Sequence, residues 1–132
     1  MDRKQIGRIG MAFAIAHFTK EGYTISLPMN DTQWYDLIVE KDGIFETVQC
    51  KATQTASNTI DLRSTGGTNG GVYDHVLQHT IHYLFCVDKE LNCFNIPVHD
   101  IVEYGKPNTI SLRKEPTSNN QGFQTYKYLV TI

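Results

Sequence analysis

Three side chains of this sequence could do hydrolytic chemistry if the fold brings them together: Asp36, Gln49 and Lys51. A carboxylate and an amide oxygen are hard donors of the kind that Mg²⁺ takes, completed by main-chain carbonyls and water. Cys50 lies between Gln49 and Lys51, and its main-chain carbonyl is expected to supply a further oxygen. An ammonium beside such a cation can orient an attacking water, help to deprotonate it, or neutralise charge that builds on a phosphoryl group. The competing arrangement is a diagonal cross-strand ion pair between Asp36 and Lys51 on a solvated face. Trp34 and Ile38 fall on the same face, which argues against full solvation.

A hairpin must position them. Two β-rich runs, 34–41 and 44–51, flank Asp42-Gly43. Asp-Gly between such runs is a strong hairpin signal, because a type I′ turn needs positive φ at both central residues. With a two-residue loop the register follows by counting: Lys41 faces Ile44, Ile38 faces Thr47 and Asp36 faces Gln49. Alternation then puts Asp36 on one face with Gln49 and Lys51, and turns Glu46 and Cys50 away.

Ahead of the hairpin, Ile6, Ile9, Phe13 and Ala16 repeat at helical spacing, which predicts a helix over 3–20 with Gly22 as its stop. A short strand over 23–27 follows, ended by Pro28. Residues 58–64 are expected to be a third strand of the hairpin group. Residues 82–88 and 93–98 read as a second hairpin, 99–104 as a short helix, 109–113 as a strand, and 126–132 as an apolar segment that docks the C-terminus. The sum is one α/β (α+β) domain over 1–132, with its core in 3–63 and the second hairpin and C-terminal elements in 72–132.

At this point the residues resemble a known family. Tyr35-Asp36-Leu37, then Gln49-Cys50-Lys51, preceded by a helix and the Gly22-Tyr23 turn into a strand, look like the PD-(D/E)XK nucleases. The chain is similar in particular to the small group I intron-encoded homing endonucleases of that fold known from cyanobacteria, where glutamine replaces the usual acid before the lysine. The resemblance implies a mixed central sheet flanked by helices and a divalent cofactor, Mg²⁺ or Mn²⁺. It also implies phosphodiester hydrolysis in double-stranded DNA and assembly as a homodimer or homotetramer. The family carries a glutamate on the first helix within a Gly-x-x-x-Glu stretch. Counted from Gly7, that position is Met11. The departure leaves three expectations side by side: an active or disarmed endonuclease, a nuclease specific for DNA structure of the Holliday-junction type, and a DNA-binding module without catalysis.

The formal net charge of −2 removes any bulk electrostatic argument for nucleic-acid binding, so a local basic surface must serve. Lys4 and Arg8 on the first helix, and Arg63, Thr68 and Asn69 around the Gly-rich stretch 66–71, are the candidates to contact DNA. Asp61 and Arg63 are expected to alternate on one strand face with Thr59, placing the arginine to read guanine. The Gly-rich stretch lacks the Gly-Lys-Ser/Thr ending of a phosphate-binding loop. His75, His79 and His82 fit helical metal spacing, but the flanking run Tyr83–Val87 favours a strand, and they read as surface or half-buried histidines. Three cysteines without a CxxC suit a reducing, intracellular setting. No membrane span and no small-molecule cofactor are expected.

Overall fold

In a computed structural model, which describes residues 1–30, 32–65, 73–75 and 80–132, the chain opens with helix α1 (Arg3–Lys20). Asp2 caps it, accepting the Gln5 N–H at 2.9 Å while the Gln5 side chain takes the Asp2 N–H. This capping box satisfies two of the orphan donors of the first turn. Gly22, at φ 89°, turns the chain out of the helix.

The strands are β1 (Thr24–Ser26), β2 (Leu37–Lys41), β3 (Ile44–Ala52), β4 (Thr59–Asp61), β5 (Arg63–Thr65), β6 (Tyr73–His75), β7 (Tyr83–Val87), β8 (Cys93–Pro97), β9 (Thr109–Ser111) and β10 (Leu129–Val130). Helix α2 (Val98–Tyr104) follows β8. Six strands form one sheet in the order β1-β2-β3-β7-β8-β10. Only the β3–β7 pair is parallel, so the sheet is mixed as expected.

The sheet is buried on both faces. Against α1 lie Leu37, Val39, Val48, Phe85 and Val87, packed with Ala14 and Phe18 of the helix. On the other face Leu84, Cys86, Phe94 and Ile96 meet Ile60, Leu62, Ile101 and Ile110. Neighbouring residues of β7 therefore serve opposite cores, which is why its sequence is apolar without alternation.

Two expectations are corrected. The face of α1 that is buried is Gly10, Ala14, His17 and Phe18, with Ile6, Ile9, Phe13 and Ala16 only half-buried beside it. Gly10 lies against β3, where a Cβ would meet the Ala52 Cβ at an ordinary contact distance of 3.5 Å, so the row from Gly10 through Ala14 to His17 and Phe18 is the one turned to the sheet. Second, segment 58–64 does not join the hairpin. It breaks at Leu62, whose N–H donates to the Asn108 carbonyl; β4 pairs with β9, and β5 with β6. The reading of the histidines as surface or half-buried side chains holds at His82, which is exposed. His75 ends a strand, His79 lies outside the described residues, and exposed His82 accepts the Thr47 N–H on Nδ1 at 3.0 Å.

Candidate active site

The β2–β3 turn is built as its sequence requires. Asp42 and Gly43 take φ 53° and 79°, the two positive values of a type I′ turn. The ladder then runs from Lys41↔Ile44 through Ile38↔Thr47 to Leu37↔Val48, in the expected register. At the next residue it departs. The Asp36 N–H donates to the Val48 carbonyl at 2.8 Å, although Val48 is already paired with Leu37. Two residues thus face one, the geometry of a β-bulge, which re-aims a side chain at the end of a strand.

The re-aimed Asp36 carboxylate reaches across to β3. Its Oδ2 accepts the Cys50 N–H at 2.8 Å and the Gln49 Nε2–H at 3.3 Å. Both bonds fall on one oxygen; Oδ1 takes none among the described residues. Burial raises the Asp36 pKa, while the Cys50 N–H and the charge of Lys51 oppose the rise. Half-buried Lys51 thus stands close enough for Asp36 to feel its charge, and the two side chains form no direct ion pair. Burial and then the Asp36 charge push the Cys50 thiol far up, so it is a protonated packing group and no nucleophile.

Around the bulge lies a cleft of about 420 Å³, lined by Lys4, Gly7, Arg8 and Met11 of α1 together with Asp36, Gln49 and Cys50. The positions 4, 7, 8 and 11 form one helical face. Met11, the position counted from Gly7, lines the same cleft as Asp36 and Gln49. Lys4 and Arg8 stand at the same wall. Lys51 lies two residues beyond Gln49 on β3, opposite Cys86, and does not line this cleft.

Arg63 is not part of it. Its Nε donates to Asp61 Oδ1 at 3.1 Å and its Nη2 to Oδ2 at 3.3 Å, and these bonds lower the Asp61 pKa. The expected alternation of Thr59, Asp61 and Arg63 on one strand face also fails, since Leu62 separates two strands. Thr68 and Asn69 lie outside the described residues. Gly7, used above only to count, is the cleft residue that pattern reading missed. A glycine inside an otherwise good helix was the available signal.

Among the described residues no three His, Cys, Asp or Glu side chains cluster as a metal site. The donors that do converge are hard oxygens: the Asp36 carboxylate, the Gln49 amide and nearby main chain. Mg²⁺ or Mn²⁺ suits such a set, and the Asp36 Oδ1 is left for one. Met11 offers a thioether, which such ions do not seek.

Comparison with known proteins agrees with this geometry. The family model described as PD-(D/E)XK endonuclease matches residues 1–128. Protein 5.3 of Escherichia phage T7 is 44% identical over 59 residues, 42% of this chain and 50% of that protein. The chain thus spans about half the length of that curated relative. The solved structure of a bacterial homing endonuclease, I-Ssp6803I, shares the fold with a TM-score of 0.74. It is 21% identical, and the match covers 98% of this chain and 89% of that one.

Proposed function

Starting from the fact that this chain belongs to the PD-(D/E)XK endonuclease family, we propose that it hydrolyses phosphodiester bonds of double-stranded DNA with a divalent metal, Mg²⁺ or Mn²⁺. The observation that carries the proposal is the shared cleft, where Asp36 and Gln49 of the hairpin meet Lys4, Arg8 and Met11 of α1. In this reading the enzyme is sequence-specific, of the intron-encoded homing type, intracellular, and active as a homodimer or homotetramer. One chain offers one site, so cutting both strands needs at least two. Among the described residues no helix is long and apolar enough to cross a membrane.

Asp36, the Gln49 amide oxygen and the Cys50 carbonyl would hold the cation. When bound, it supplies Lewis acidity and positive charge at the scissile phosphate. The protein does the rest. Lys51 orients the attacking water and offsets the negative charge that builds on the phosphoryl oxygens. Lys4 and Arg8 hold neighbouring phosphates. Water adds to phosphorus, the bond to the leaving sugar oxygen breaks, and that oxygen ends protonated. With Met11 in place of a carboxylate, the cleft has a single carboxylate, Asp36, beside the cations Lys4 and Arg8, and would hold a divalent ion weakly.

That methionine also favours a second reading, a DNA-binding module without catalysis. Mg²⁺-dependent nicking of a plasmid pool by the natural chain and by Met11→Glu separates the two. The nuclease reading expects at least about tenfold more nicking from Met11→Glu, at discrete positions. DNA bound but never nicked by either protein supports the module. A Holliday junction bound and cut in preference to linear duplex would point to the structure-specific class.

A further inference from the structure

Gly7 is a glycine that the fold does not ask for. Of the six described glycines, Gly22, Gly43, Gly105 and Gly122 have positive φ. Gly10 packs against β3, where a Cβ would meet Ala52 at 3.5 Å and the Lys51 main chain at 3.9 Å, ordinary contact distances. Gly7 has neither a positive φ nor a packing neighbour. It sits within α1, its φ is not positive, and a Cβ there would meet no described atom within 4 Å. Glycine is nonetheless the poorest helix former short of proline, and an alanine would lower the entropy of the unfolded chain and so disfavour unfolding. A residue that weakens its own helix without easing any contact is explained by something outside the chain.

Its surroundings say what. Gly7 is exposed on the wall of the cleft that holds Asp36 and Gln49, with Lys4 and Arg8 on the same helical face. We propose that Gly7 is the crossing point of the bound DNA backbone: the missing side chain lets a phosphodiester lie against α1 between the two cations, next to the phosphate that is cut. A side chain at position 7 would hold the strand off the helix and away from both charges. This inference rests on the nuclease reading and adds to it a clearance residue that positions the substrate without touching the reacting atoms.

The test uses the full chain with Gly7→Ala and Gly7→Leu, two better helix formers of increasing size. Melting temperature and binding of a labelled mixed-sequence duplex at low salt, without metal, are measured together. Both variants should melt higher, by about 3 °C. Affinity should move the other way, falling about threefold with alanine and roughly tenfold or more with leucine, as blocked close contacts do. A leucine variant that melts higher and binds as the natural chain does would overturn the inference and leave the nuclease reading standing. A lower melting temperature in both variants would also overturn it, by showing that the fold itself needs the glycine. A natural chain that fails to bind the duplex at all would remove the nuclease reading first.

Discussion

Asp36 carries opposed demands. Its carboxylate anchors the bulge by accepting the Cys50 N–H, yet burial holds its pKa above the ordinary carboxylate value. A group whose pKa rises on folding favours the fold while protonated and opposes it once ionised. Stability from this group is therefore full below the ordinary aspartate range and is lost as pH climbs through the raised value. Asp36→Asn keeps an acceptor for Cys50 and never ionises. It should melt higher than the natural chain near pH 7 and converge with it below the ordinary aspartate range. Cleavage should vanish at every pH. Equal melting curves at neutral pH would show that the ionised carboxylate costs the fold nothing. Lys51→Ala tests the other end of the proposed chemistry. We expect a loss of at least about a hundredfold in cleavage with duplex affinity within about threefold of the natural chain. A parallel loss of affinity would make Lys51 a binding residue instead. The residue types behind these predictions were legible from spacing alone. The bulge that joins Asp36 to Cys50 was not, because a one-residue irregularity leaves no trace in an alternating pattern.

Elements were easier to read than their partners. The helix bounds, both hairpins, the short helix after β8 and the docking of the C-terminal strand all follow from local period and turn chemistry. What local sequence does not encode is which surface an element meets. The apolar stripe of α1 pointed to Ile9 and Phe13, but the helix turns Gly10, Ala14, His17 and Phe18 to the sheet instead. Segment 58–64 had strand composition, yet its partner, β9, lies nearly fifty residues on. The Asp42-Gly43 turn is the element on which the site's register depends. Gly43→Ala forces a side chain into φ 79° and should destabilise the fold by about 1 kcal/mol in urea titration. An unchanged midpoint would mean that the turn relaxes to another type and that register is held elsewhere.

At the scale of the whole molecule, a net charge of −2 gives the chain no general attraction for DNA. Binding must come from a few cations near the cleft, and its salt dependence should be modest. With Lys4 and Arg8 as the main phosphate contacts, log affinity should fall with log salt at a slope of about −2, and Lys4→Ala should take about one unit from it. A slope several times steeper would place the main contacts elsewhere, including the residues around 66–71. One feature of the topology bears on when the proposed site can be assembled as the chain is made. Every side chain assigned a part in cutting lies between Lys4 and Lys51, but β3 is flanked on its far edge by β7, residues 83–87, in the sheet's one parallel pairing. During synthesis the complete set of reactive groups leaves the ribosome well before the strand that braces it. On the nuclease reading, a chain still being made would therefore hold every one of these groups before β7 is there to brace the strand that bears Gln49 and Lys51.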